Sequence, residues 1–355
     1  MHIVALEPFF GGSHKKWLIG LKQNLDAEVQ LLTLKANYWK WRMHGGAVSL
    51  ANAFLKEPVA ADLFLASDML DLTTFQALTR KHTAHIPFAL YFHENQLTYP
   101  WSETDRDIEQ GRDRHYGFIN YSSALAADAV FFNSEFHRQS FLSELERFLR
   151  FYPDKRELAT VEEISDKSGV LPIALPLSAF DEHREAGARI KREYQGTPII
   201  VWNHRWEYDK GPEEFFSLLF RLKREAIPFR LVVMGEQFGE APEIFQEARK
   251  QLAQEIIHWG FAAHFSEYAE LLWAADILPV TSRQEFFGIS VVEALYCETV
   301  PLLPNRLSYP EVCSGLEDAL YEPGAEHDKL RSLLNSKDLN VEKAAARTQA
   351  GRYDW

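Results

Sequence analysis

The sequence predicts an α/β protein made of two Rossmann-like, doubly wound domains facing a cleft. Short apolar runs alternate with longer amphipathic stretches from one end of the chain to the other, as parallel strands joined by helices require. The alternation breaks once, at a polar and proline-bearing stretch, and then resumes. The 355 residues are enough for two domains with a core each. Paired halves of this kind present ligands at the carboxyl ends of their strands.

In order, "HIVALEP" (2–8) is the first buried strand and "GGSHKKWLIGLKQNL" (11–25) a loop and helix. "VQLLTL" (29–34), "DLFLASD" (62–68), "PFALYFHE" (87–94) and "DAVFFNS" (128–134) read as strands, with helical patterns at "LTTFQALTRKH" (72–82) and "GFINYSSALAA" (117–127). "RFYPDKRELATVEEISDKSG" (150–169) reads as polar loop, and Pro172 and Pro176 just beyond it suit a strand edge or linker. The second alternation runs through "TPIIVWNHR" (197–205), "EEFFSLLFRLKREA" (213–226), "FRLVVMGE" (229–236), "EIFQEARKQLAQE" (243–255), "IIHWGF" (256–261), "SEYAELLWAAD" (266–276) and "ILPVTS" (277–282). The expected division is an N-terminal domain at 1–180, a linker at 181–196, a C-terminal domain at 197–340 and a tail at 341–355.

Composition narrows the function. At 46% hydrophobic and 25% charged, the chain is a globular protein rather than a disordered one. The opening "MHIVALEPFF" lacks the basic and long apolar parts of a signal peptide, and no apolar run reaches the ~18 residues of a membrane span. Cys297 and Cys313 form no disulfide framework or metal spacing, which suits a reducing cytoplasm. A net charge of −13 argues against a general nucleic-acid binder but leaves room for a local basic patch that meets one structured RNA.

Four stretches carry chemistry. In "EPFFGGSHKKW" (7–17), Gly11, Gly12 and Ser13 follow a strand and open a helix, which lets backbone N–H groups approach an anion; a plain tight turn fits equally. In "YFHENQLTYPW" (91–101), His93, Glu94, Asn95 and Gln96 end a strand, where α/β folds present ligand groups to a sugar or nucleoside; the bland alternative is a polar loop with a satisfied histidine. In "WNHRWEYDKGPEEFF" (202–216), Arg205 and Lys210 are placed to hold a diphosphate, one by its planar fork and the other as a point charge; surface ion pairs with Glu207 and Asp209 are the alternative. In "EFFGISVVE" (285–293), Gly288, Ile289 and Ser290 open a helix as an anion site, with Glu285 before it and Glu293 inside it. Such acids can grip the sugar and the ribose at opposite ends of a nucleotide-sugar, whereas either alone could be an acid facing the helix dipole. Asp105 and Asp107 in "TDRDIE" resemble a metal-binding pair but sit in a charged loop, so no metal is expected.

With these motifs in this order, the chain resembles a GT-B glycosyltransferase, "EFFGISVVE" being the E-x7-E element of retaining family-4-type enzymes. "EPFFGGSHKKW", "YFHENQLTYP", "FNSEFHRQSFL" and "PNRLSYPE" resemble more specifically the tRNA-queuosine alpha-mannosyltransferase family, over nearly all of residues 1–320. The resemblance implies transfer of mannose from GDP-mannose to queuosine in the anticodon of tRNA-Asp, with retention and without a cofactor. It implies that Arg205 and Lys210 stabilise the leaving diphosphate in place of a metal. Glu285 would hold the sugar, Glu293 the ribose, and Phe287 to Ser290 would supply amides to sugar and phosphates. Asn203, Gly260 and Phe261 would complete the donor site, His93 would contact the sugar near the reacting carbon, and Gly12 and Ser13 would approach the phosphates. His14, Asn95, Gln96, Arg112 and Arg114 are the expected acceptor residues. Enzymes of this type commonly end in a helix crossing back to the first domain, so the tail "AAARTQAGRYDW" implies a short or truncated one. Lys15, Lys16, Lys40, Arg42, Arg112, Arg114, Arg147 and Arg150 could supply the basic patch.

Two readings compete with this one. A lipid or polysaccharide acceptor would call for a basic amphipathic helix near the first domain's rim, and the sequence has no convincing one. A non-catalytic nucleotide- or RNA-binding protein would need neither the paired glutamates nor the paired cations. Guanosine and uridine donors are not told apart by the residues alone.

Overall fold

The computed structural model describes residues 1–101, 113–194, 196–237, 241–336 and 338–355. The chain divides into two compact units, Met1–Ala174 with Trp355, and Leu175–Asp354.

In the first unit the order is β1 (His2–Phe10), α1 (Gly12–Asn24), β2 (Glu28–Lys35), α2 (Trp39–Lys56), β3 (Leu63–Ser67), α3 (Leu72–Thr83) and β4 (Phe88–Phe92). α4 (Asp113–Ala126), β5 (Ala129–Phe132), α5 (Glu135–Arg150), α6 (Ala159–Asp166) and β6 (Ser168–Val170) follow. The strands form one parallel sheet in the order β2-β1-β3-β4-β5-β6. Strand order reverses between β1 and β3, and in an open α/β sheet ligands gather beyond the strand ends at such a point. Aromatic residues fill the core: Phe64 stacks on Phe88 at 4.8 Å and Phe92 on Phe132 at 4.8 Å. Start signals are local, since Asp71 caps α3 by accepting the Thr74 N–H at 3.0 Å and Ser134 caps α5 by accepting that of His137 at 3.0 Å.

The polar loop expected at 150–169 holds over 151–158, but from Ala159 on the stretch is α6 and the start of β6. Its apolar positions Leu158, Val161 and Ile164 recur every three residues, and Ile164 is fully buried. One short stripe among acids is too weak a periodic signal to stand out in sequence.

The second unit carries α7 (Arg184–Glu193), β7 (Ile199–Trp202), α8 (Pro212–Arg224), β8 (Arg230–Val233), α9 (Ile244–Gln251), β9 (Ile256–Trp259) and α10 (Phe265–Ala274). β10 (Ile277–Pro279), α11 (Ile289–Tyr296), β11 (Val300–Pro304), α12 (Tyr309–Val312), β12 (Leu320–Tyr321), α13 (Glu326–Asn335) and α14 (Asn340–Ala350) complete it. The parallel sheet has the order β12-β11-β10-β7-β8-β9 and reverses between β7 and β10.

The division between units falls at 174/175, and the expected linker 181–196 is mostly α7, an integral helix of the second unit. It packs on α10, where the Trp273 indole donates to the Phe180 carbonyl at 2.7 Å. The expected tail is likewise structured. Asp276 receives Lys343 of α14 at 2.6 Å and also Lys191 of α7, while Arg347 donates to the Tyr296 carbonyl at 2.9 Å. Among the described residues, no helix is long and apolar enough to cross a membrane.

Candidate active site

In the first unit, Glu7 on β1, Asp68 just past β3 and His93 just past β4 come together at the reversal point of the sheet. The β1–β2 register shifts between Glu7 and Phe10, an irregularity of the kind that re-aims side chains near functional sites. Glu7 accepts the Phe9 N–H at 2.7 Å through one oxygen and contacts His14 Nδ1 at 2.9 Å through the other. Burial alone would lower the His14 pKa, but the charge and hydrogen bond of Glu7, helped by Asp68 and Glu94, raise it to about 9. His14 is therefore a buried cation at neutral pH.

Its ring lies 4.1 Å from that of His93, which Trp17 meets edge-on at 5.0 Å while stacking on Tyr91 at 4.1 Å. Burial, then the charges of His14 and His137, hold His93 well below 6.5, so it is neutral. Both of its ring nitrogens are buried without a hydrogen-bond partner among the described residues. Leaving such groups unmade is costly, which marks them as groups for a ligand. Burial drives the Asp68 carboxyl up to about 8, with His14 pulling the other way; one oxygen accepts the His93 N–H at 2.8 Å and the other has no partner among the described residues. Glu7, His14 and His93 each bring one potential ligand atom within 4.8 Å of the others, yet a cation there would have to displace the proton that Glu7 stabilises on His14.

The second unit builds a different site at its own reversal point. Asn203, His204 and Arg205 follow β7, and the segment from Thr281 to Ser290 follows β10. Lys210, only 7% exposed, donates to the Gln284 carbonyl at 3.0 Å and lies 3.3 Å from Glu285 and 3.2 Å from Asp209. Burial opposes its charge, but Glu285 and Asp209 outweigh that and raise its pKa. Arg205 is more exposed and pairs with Glu207 at 3.2 Å. These acids consume much of the positive charge, so an anion here must rely also on the start of α11. That helix begins at Gly288 with no capping side chain and no acid in its first turn. Gly288 has φ 102, a conformation that costs little only without a Cβ.

Behind it, Asn203 donates to the Ser290 carbonyl at 2.7 Å while its own amide oxygen is buried without a partner among the described residues. Ser290 Oγ and His204 Nδ1 share a hydrogen bond at 2.9 Å; burial and then Lys210 push the His204 pKa down to about 3. Glu293 is buried and accepts the Tyr268 hydroxyl at 2.7 Å. Phe287 is buried, whereas Phe261, after Gly260 just past β9, is 64% exposed.

The expected residues thus fall into two groups, one in each unit, and several change duty. Asn95 is fully buried, and its amide oxygen accepts the N–H groups of Leu97 and Thr98 at 3.1 and 3.0 Å, so it shapes a turn rather than offering a free acceptor contact. Gln96 turns its amide onto Glu94 at 3.0 Å. The Gly11 position is set by packing, since a Cβ there would meet that of Ala36 at 2.4 Å; Gly12 and Ser13 are exposed. Arg114 is exposed, with its guanidinium over Phe151. Arg112, Asp105 and Asp107 lie outside the described residues.

Sequence reasoning missed Glu7, Asp68, His204 and Tyr268 as site residues. The signal for the first two was an acid within or just after an apolar strand, in "ALEP" and "LASD". Two quoted motifs prove to be braces. Asn133 donates to the His93 carbonyl at 2.9 Å and contacts His137 at 2.9 Å, while Ser308 donates to the Phe287 carbonyl at 3.0 Å.

Residues 184–353 match the family of glycosyl transferases group 1. The N-terminal domain of trehalose-6-phosphate phosphatase from Candida albicans shares the fold, with a TM-score of 0.73 at 14% identity over 99% of this chain and 93% of that one. The two parallel α/β units and these matches define a GT-B glycosyltransferase. Residues 2–175 match the N-terminal family of tRNA-queuosine alpha-mannosyltransferase. The tRNA-queuosine alpha-mannosyltransferase of Drosophila melanogaster is 34% identical over 314 residues, covering 88% of this chain and 81% of that one. A GDP-mannose:cellobiosyl-diphosphopolyprenol alpha-mannosyltransferase of Xanthomonas oryzae is 22% identical over 163 residues, 44% of this chain and 43% of that one. The chain belongs to the tRNA-queuosine alpha-mannosyltransferase family and is an enzyme, a mannosyltransferase.

Proposed function

We propose that this enzyme moves mannose from GDP-mannose to queuosine in the anticodon of tRNA-Asp, in the cytoplasm and with retention of configuration. The observation that carries the reading is the arrangement around α11: Lys210 against Glu285 before an uncapped helix start, with Glu293 inside the helix accepting the hydroxyl of Tyr268 from α10. The diphosphate lies on the amides at Gly288 to Ser290, with Arg205 and Lys210 offsetting the charge that develops on the leaving GDP; no metal takes part. Glu285 binds sugar hydroxyls and Glu293 the ribose diol. An acceptor hydroxyl attacks the anomeric carbon on the face from which the phosphate departs. The carbon–phosphate-oxygen bond breaks, the new glycosidic bond forms, and the hydroxyl proton passes to the leaving phosphate. Neutral His93 is a contact for the sugar and not a general base.

Calorimetry with GDP and UDP tests the donor half. GDP binds, UDP binds more weakly, and Lys210→Met weakens GDP by roughly tenfold to a hundredfold, the worth of a hydrogen bond from a charged group. Unchanged GDP affinity in Lys210→Met refutes the diphosphate assignment. The anomeric configuration of the product, read by NMR, tests retention, and an inverted product refutes it.

A further inference from the structure

We infer that the start of α2, with Tyr38 and Trp41, is a stacking surface for the single-stranded loop of the tRNA acceptor; this rests on the acceptor proposed above. Tyr38 and Trp41 are 82% and 63% exposed, far more than large aromatic rings usually are. Neither position is incidental to the backbone. Tyr38 sits at φ 51, a strained conformation for a bulky residue, at the helix N-cap. Gly45, one turn beyond Trp41, is bare where a Cβ would meet the indole at 2.6 Å, so the ring lies against its own helix and keeps a face to solvent.

Charge at this end of α2 suits phosphate. The helix has no acid in its first turn and no capping side chain, and Lys40 and Arg42 flank Trp41 in sequence. Lys40 lies over the rings of Trp39 and Trp101 at 5.6 and 5.4 Å. At the start of α4, Arg114 covers Phe151, itself 65% exposed, and His115 stacks on His44 of α2 at 4.5 Å. Aromatic faces interleaved with cations are how proteins hold unstacked bases. A buried cluster of Met43, Met69, Tyr116 and Ile119, joined by Phe9 and Trp39, runs from this surface toward Phe9, whose ring meets that of His14 at 6.1 Å. The stacking surface and the His14–His93 site therefore belong to one packed block of the first unit. A loop held on Trp41 is positioned by the same block that holds His93.

The test measures binding of queuosine-containing tRNA to wild type, Trp41→Ala, Tyr38→Ala and Trp41→Phe, with GDP affinity and melting temperature read on each. Trp41→Ala should weaken tRNA binding by roughly tenfold to a hundredfold while Trp41→Phe keeps most of it, as stacking predicts. Lys40→Glu should weaken it and flatten its salt dependence. Wild-type tRNA affinity in both alanine variants and in Lys40→Glu would overturn the inference. No tRNA binding by wild type that still binds GDP would remove the acceptor reading itself. Trp41-dependent binding to phosphatidylglycerol vesicles without tRNA binding would make this a membrane face and likewise overturn it.

Discussion

The Glu7–His14 pair is the clearest case of one residue deciding the state of another. Burial draws the His14 pKa down and Glu7 does most to raise it; with Glu7 in place His14 is charged and faces a neutral His93. A histidine whose folded pKa is raised to about 9 contributes stability that is complete below about pH 6.5 and is lost as pH rises through 9. Asp68, raised to about 8, acts with the same sign over a lower range, since its folded form also holds a proton that the unfolded chain releases. The protein should therefore lose stability between about pH 6.5 and 9, with His14 contributing on the order of 3 kcal/mol at most. Thermal denaturation across that range checks this. Glu7→Gln should lower stability at pH 6.5 and flatten the decline, and an unchanged slope in that variant would show that the pair does not control it.

At the scale of elements, each unit gathers its chemistry where its parallel sheet reverses: beyond β1, β3 and β4 in one, beyond β7 and β10 in the other. The α11 start depends on Gly288 in a left-handed conformation. Gly288→Ala should cost roughly 1–2 kcal/mol of stability, since L-residues are strained there, and should weaken GDP binding as well. Urea unfolding and calorimetry measure the two, and an unperturbed variant would mean that the turn is not constrained. Most of the strands were legible because runs such as "PIIVW" and "FALYF" bury both faces and carry turn signals at their ends. α6 and α7 were not, because their buried faces are narrow: Gly187 presents no apolar side chain at all to Trp273, and α6 fully buries only Ile164. Of the site, the paired glutamates and cations could be read from strand–loop–helix position. Glu7 and Asp68 could not, since an isolated acid at a strand end shows its partner only after folding.

For the whole molecule, a net charge of −13 and a polyanionic acceptor are reconciled locally. Arg147 and Arg150, expected in a basic patch, pair along their own helix with Glu144 and Glu146. The α2 start instead combines cations with exposed rings, so base stacking there supplements a limited electrostatic contribution. The most direct test of the account is nucleoside mass spectrometry of queuosine-containing tRNA-Asp incubated with the protein and either GDP-mannose or UDP-sugars. The account predicts one hexose added to queuosine with GDP-mannose alone, abolished in Glu285→Ala. Addition from UDP-sugars, or unmodified queuosine under conditions where GDP-mannose is bound, would contradict it.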